Sequence, residues 1–221
     1  MNEAYIIIAT YLSSTLSFIG CFMMVIYYVC FPTDRAAAHL FCLWLGISGI
    51  GLALATFIRG QAKDVDSGDF LCTLFPLIED YFILCSSFTT AIIAIRVKII
   101  VFQQKGCSSL SDSQLKTYFA VVWGLPLLLV LVPLTTNSYG RNDGDWYCFF
   151  KYDRDDKEKD NVWAKAWMFL LFYGPILVSF CVIIVIYAQC VIQINILQVR
   201  HALHSLLTVD HNLLFNSPLQ K

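Results

Sequence analysis

The sequence predicts an all-α membrane protein built from five transmembrane helices. Two observations carry that reading. The 221 residues are 58% hydrophobic and only 14% charged, with a mean hydropathy of +0.66, whereas soluble domains carry about 25% charged residues. A surface made from this composition would be too apolar to stay dissolved. The apolar residues are also gathered into five long runs almost free of charge. A hydrocarbon core about 30 Å thick takes roughly 20 helical residues at about 1.5 Å each. A lone segment in lipid satisfies its backbone groups only as a helix.

The same numbers exclude other classes. Disorder needs few apolar residues and much charge. Nucleic-acid binding as the main task needs a basic footprint, and here 15 Lys and Arg face 16 Asp and Glu, for a net charge of −1.

The first span, 5–31, is 27 residues without Asp, Glu, Lys or Arg. It is too long for the apolar stretch of a signal peptide, roughly 7–15 residues, and no basic residue precedes Arg35. The second, 36–58, carries only His39 as a group that can charge. The third, 70–95, is interrupted by Glu79 and Asp80, and Pro76 stands near its start. The fourth, 118–139, is uncharged and contains Pro126 and Pro133. The fifth, 166–199, contains Pro175. At 34 residues it is too short for two helices and a turn, and fits one helix that continues past the bilayer. In membrane helices such prolines kink the axis and free carbonyls that neighbours must satisfy. Residues 1–199 are thus read as the bundle. Residues 200–221 have no run long enough to span and are read as a cytoplasmic tail.

Loop charge orients the bundle weakly. With the N-terminus outside, the inner segments hold seven basic residues and the outer segments eight, so the positive-inside count is undecided. Net charge separates the faces better, +4 inside against −3 outside. Of the nine cysteines, Cys72 begins the third span and Cys148 lies in the fourth loop, so alternating spans place both on one face. A disulfide there needs an oxidising compartment, and the alternative is two unpaired thiols. Together these favour the N-terminus outside, in a plasma membrane.

Glu79 and Asp80 are the costliest residues. A charge near the bilayer centre costs about 2.5–3.5 kcal/mol on insertion scales and normally faces a bundle interior or watery cavity. One reading is a ligand or ion contact; the other is a buried polar clasp to a second helix, or a protonated carboxyl. No basic residue lies within the runs, which leaves protonation, an outer-loop partner or a bound cation. Adjacent helical residues point about 100° apart, so the two need not face one cavity.

The fourth loop, 139–150, passes from turn residues into the aromatic piece Trp146 to Phe150, which suits a short strand or hairpin. The mixed charge run Lys151–Lys159 reads as a solvated loop. The third loop is basic, with Arg96, Lys98, Lys105 and Lys116. Anionic lipid would attract it by about 1 kcal/mol per basic residue, and a cytoplasmic partner surface would look the same. No Gly-x-Ser-x-Gly, P-loop, His-Glu-x-x-His or Cys-x-x-Cys sequence occurs, so neither an enzyme nor a cofactor or metal is expected.

Several of these pieces resemble one family. Trp123-Gly124-Leu125-Pro126 is similar to the Trp-Gly-x-Pro of cAMP-receptor-like (class E), secretin-type and adhesion-type seven-helix G-protein-coupled receptors. Gly144-Asp145-Trp146-Tyr147-Cys148 resembles their second extracellular loop, Cys72 matches its partner cysteine, and Ile92-Ile93-Ala94-Ile95 before a basic end is similar in style to the cAMP-receptor-like branch. The resemblance implies a Cys72–Cys148 disulfide and a central third helix. It also implies an extracellular ligand of unknown identity that enters between the outer helix ends, for which Glu79 and Asp80 are the candidate contacts by their buried charge, and a heterotrimeric G protein against the inner loops, where Arg96, Lys98 and Lys105 are the candidate contacts. No Asp-Arg-Tyr sequence ends the third span. The resemblance covers helices one to five of seven, so the chain reads as a receptor portion. The competing reading is a small transporter or channel subunit that uses Glu79 and Asp80 for ion or proton coupling.

Overall fold

A computed structural model describes residues 3–31, 37–61, 70–103, 111–136, 138–140, 148–150 and 162–215. Lys105, Trp146 and the charge run at 151–159 lie outside the described residues. Among the described residues five helical stretches are long and apolar enough to cross a membrane: Ile8–Cys30, His39–Arg59, Phe70–Phe102, Asp112–Thr135 and Ala164–Val199. The first three belong to single helices, α1 (Glu3–Cys30), α2 (Ala37–Gln61) and α3 (Phe70–Gln103). The fourth joins α4 (Asp112–Phe119), a π turn (Ala120–Gly124) and α5 (Leu125–Thr135). The fifth joins α6 (Val162–Trp167), a π segment (Met168–Tyr173) and α7 (Gly174–Phe215).

The helices outrun the apolar runs. The 34 residues of α3 measure about 51 Å, well beyond a core about 30 Å thick. Arg96 and Lys98 therefore ride on a helix and not in a loop, because a charge ends an apolar run without ending the backbone hydrogen bonding. The fourth stretch begins at Asp112, ahead of the apolar run, because the Ser111 side chain accepts from the Gln114 amide and caps the helix. Residues 200–215, read as tail, continue α7.

Both π turns have the same cause. Proline lacks an N–H, and its ring collides with the carbonyl four residues back. For Pro126 that carbonyl belongs to Val122, and for Pro175 to Leu171; each lies inside a π segment. The widened turn shifts the hydrogen bond to Leu125 N–H→Ala120 O in one case and Gly174 N–H→Phe169 O in the other. The sequence predicts kinks at these prolines; the structure resolves the clash with an extra residue in the turn. Pro76 is carried inside α3 and Pro133 inside α5. Near Pro133 the helix closes: its carbonyl accepts from the amides of Thr136 and Ser138.

α3 is the hub. It packs against α2, α5 and α7, and touches both strands of a small antiparallel ladder. That ladder pairs β1 (Tyr139–Gly140) with β2 (Phe149–Phe150), Tyr139 opposite Phe150 and Gly140 opposite Phe149. Small residues on α2 allow close approach on both sides. A Cβ on Gly46 would stand 3.1 Å from Val25 and 3.2 Å from the Cys21 carbonyl of α1. One on Gly51 would overlap the Phe82 ring of α3.

Apolar packing forms three clusters along α3. At the end where Cys72 begins the helix, Leu84 meets Val130, Tyr139, Phe150, Ala164 and Leu171. Further along, Ile92 meets Phe41, Trp44 and Val122. Toward Arg96, Ala94 meets Ile186 and Cys190 of α7. Many other large apolar side chains, such as Leu12, Leu128 and Val178, are exposed, as a hydrocarbon solvent allows.

Candidate functional site

The Cys72 end of α3 gathers the buried charge of the bundle. Glu79 and Asp80 lie about two turns down the helix from Cys72. They are 7% and 0% exposed, so each needs a partner or a price in stability. Their side chains go in different directions, as their offset on the helix requires. Glu79 Oε2 meets the guanidinium of Arg59, from the last turn of α2, at 2.5 Å. Asp80 Oδ2 accepts from the Tyr139 hydroxyl at 3.1 Å. Asp80 Oδ1 is buried with no hydrogen-bond partner among the described residues.

Tyr139 is held from several sides. Its ring stacks on Phe150 with centroids 5.0 Å apart, and β1 pairs with β2 behind it. Burial pushes the Tyr139 phenol above its ordinary value, and the Asp80 carboxylate adds to the shift. Tyr139 thus remains a donor throughout the physiological range. Cys148, immediately before β2, is bonded to Cys72, with Cα atoms 5.2 Å apart. The hairpin is therefore fastened to α3 at two levels, covalently at Cys72 and by a hydrogen bond at Asp80.

A second network ties the fourth span to the fifth. Trp167 Nε1 donates to Thr136 Oγ1 at 3.1 Å, and that hydroxyl lies 2.6 Å from Ser138 Oγ. Deeper in the bundle Ser86 of α3 donates to Ser48 of α2 at 2.9 Å.

The other predicted residues fall elsewhere. Trp123 and Gly124 form the end of the π turn, and Pro126 follows, buried, in α5. Trp123 packs near Tyr81, whose hydroxyl reaches the Trp123 carbonyl at 3.4 Å. This motif thus seats the fourth span on α3, apart from the carboxylates. Arg96 and Lys98 lie at the opposite end of α3, where Lys98 Nζ sits 5.8 Å from the Phe102 ring centre.

Sequence reasoning named both carboxylates and missed their partners. Arg59 carried a signal, since it is the first basic residue after the second run and the sequence left an outer-loop partner open. Tyr139 carried none; it is one uncharged aromatic among many. The disulfide and the central third helix, both implied by resemblance, are present.

The model of the seven-transmembrane receptor (rhodopsin family) matches residues 20–205. The chain belongs to the seven-transmembrane receptor (rhodopsin) family. It is also similar to Cyclic AMP receptor-like protein A of Dictyostelium discoideum, 23% identical over 179 residues, which covers 80% of this chain and 42% of that protein. The crystal structure of squid rhodopsin superposes with a TM-score of 0.66 at 18% identity, covering 90% of this chain and 57% of squid rhodopsin. The rhodopsin likeness gives the fold. The chain spans less than two thirds of the length of either relative. Membership in this receptor family and five apolar spans make it an integral membrane protein.

Proposed function

We propose that this chain is the ligand-sensing and G-protein-facing part of a plasma-membrane receptor. In this reading the Cys72 end and the N-terminus face outside, and α7 ends in the cytoplasm. The single observation that carries it is the two-level fastening of the hairpin over the buried carboxylates. A disulfide marks the oxidising side of a membrane, and the same end holds charge that the bundle must stabilise.

Glu79 is the proposed ligand contact. Its carboxylate is already paired, so a ligand engages it by exchange: a cationic group replaces the Arg59 guanidinium on Glu79, or an anionic group draws Arg59 away. Either exchange changes the grip of α2 on α3. Asp80 is proposed to act through Tyr139, transmitting movement of the hairpin to α3. At the other end Arg96 and Lys98 make the last turns of α3 basic, which suits contact with a heterotrimeric G protein, and Lys105 follows them in the sequence. The name of the Dictyostelium relative makes cyclic AMP one compound to try, alongside amines and carboxylates.

Thermal unfolding of the chain in lipid nanodiscs, screened against cyclic nucleotides, primary amines and small carboxylates, tests the site. The reading expects at least one class to raise the midpoint, with the rise lost in Glu79→Gln and retained in Asp112→Asn. Stabilisation that survives Glu79→Gln in full contradicts the assignment.

A further inference from the structure

A cleft of about 510 Å3 opens between α1 and α2, with Thr10, Ser13 and Ser17 on the α1 wall and Leu52 and Thr56 on the α2 wall. That volume lies in the range of small-molecule sites. The α1 wall begins at Ala9 and ends at Ser17, about 12 Å of helix. Further down, the Cβ positions of Gly49 and Gly46 would meet Cys21 and Val25 of α1, so the two helices close on each other there. The cleft is thus a pocket at the Cys72 end of the bundle. A groove made to seat another spanning helix would run on through the inner half.

Two observations give the pocket a chemistry. The first is its wall. Ser13 and Ser17 are exposed, and a hydroxyl both donates and accepts. Thr56 gives its proton to the Leu52 carbonyl at 2.9 Å, which leaves its oxygen to accept. The walls therefore suit a guest that carries hydroxyls of its own, and an apolar tail would gain nothing by covering them. The second is Arg59. Leu52, Thr56 and Arg59 follow one another at spacings of four and three, on one face of α2. The face that lines the cleft thus carries the guanidinium that meets Glu79. Of that pair Arg59 is the more open, with 19% of its side chain exposed against 9% for Glu79. Among the described residues no Asp or Glu lines the cleft. A cation inside it finds no counter-charge on its walls, whereas an anion meets the guanidinium first.

We propose that this cleft binds a small anion that bears hydroxyl groups, its carboxylate or phosphate on Arg59 and its hydroxyls on Ser13, Ser17 and Thr56. The guanidinium fork matches either anion, and its five donors allow it to turn from Glu79 to the guest. The inference rests on the ligand exchange proposed above and selects its anionic form. It also names a wall that the exchange alone does not require, the outer half of α1. Drawing Arg59 toward the cleft withdraws it from Glu79, so occupancy between α1 and α2 is felt at the contact of α2 with α3.

Ligand protection of a cysteine in the wall tests it. The full chain carrying Ser17→Cys, in lipid nanodiscs, is labelled with a thiol reagent in the presence of gluconate or glucose 6-phosphate. The matched compounds each lack one feature: glucose the charge, butyrate and ethyl phosphate the hydroxyls, and glucosamine the negative sign. At least one hydroxylated anion should slow labelling at position 17 about threefold or more and raise the thermal midpoint, with butyrate and ethyl phosphate binding roughly tenfold more weakly. Labelling of Leu128→Cys, on the exposed face of α5, should not respond. Ser13→Ala with Ser17→Ala removes two exposed hydroxyls and leaves the ion pair alone. It should weaken binding of that anion roughly tenfold, and retention of the Cys72–Cys148 bond on a non-reducing gel checks its fold. Protection by glucosamine and by neither hydroxylated anion, no protection by any probe, or binding unchanged in the double serine variant overturns the proposal. Stabilisation that Glu79→Gln abolishes, with position 17 labelled at its full rate, overturns this cleft and leaves the exchange at Glu79 standing.

Discussion

Asp80 has no solvent exposure, one hydroxyl partner, and one oxygen without a partner among the described residues. Its stability rests on Tyr139. Tyr139→Phe removes the donor but keeps the ring stacked on Phe150, so it isolates the hydrogen bond. We expect a loss of about 1–3 kcal/mol, the usual cost of stranding a buried polar group, read by thermal unfolding in nanodiscs. The same variant has a pH signature. The Tyr139 phenol is raised in the folded chain, and an unfolded tyrosine deprotonates near about pH 10. The stabilisation is therefore fully present below that pH and declines above it, and Tyr139→Phe lacks this part of the alkaline decline. Arg59→Ala strands Glu79 and is expected to cost about 3–5 kcal/mol. The double variant Arg59→Met, Glu79→Leu should lie closer to the unchanged chain. The carboxylates were legible in the sequence because charge inside an apolar run is conspicuous. Their partners, 20 and 59 residues away, depend on how each helix is rotated, which no local pattern states.

The five helices follow from the five runs, since lipid leaves a lone segment no other backbone solution. Their ends did not follow, because α3 and α7 continue into sequence polar enough for water. The π turns were hidden too. Proline announces a disturbance but not whether the helix bends or takes in an extra residue. Helix contacts give direct tests. Gly51→Leu forces a side chain into the Phe82 ring and should cost about 1–3 kcal/mol, as overpacking does. Adding Phe82→Ala should recover part of the loss, and thermal midpoints of the single and double variants check this. Cys148→Ser frees the hairpin from α3 and opens a link across 76 residues. A loss of about 2–5 kcal/mol is expected. Faster amide exchange at Tyr139 and Phe150 than in α2 would locate the loosening.

At the scale of the molecule the spans form an arc around α3. α1 packs mainly on α2, and α7 mainly on α3, so the two end helices are the least covered, with 6% and 11% of their apolar windows buried. Composition alone gave the membrane class, and the Trp-Gly-x-Pro and Trp-Cys pieces gave the receptor family. The arc itself was not legible, since spacing along the chain does not fix which helices touch. In the proposed receptor, ligand exchange lies at Glu79 on one end of α3 and G-protein contact at Arg96 and Lys98 on the other. The most direct test is retention of nucleotide-free heterotrimeric G protein by the chain in nanodiscs. The account predicts saturable retention that GTP releases, weakened roughly tenfold by Arg96→Glu with Lys98→Glu. Failure to retain any class of heterotrimer, or retention unchanged by those substitutions, would contradict it.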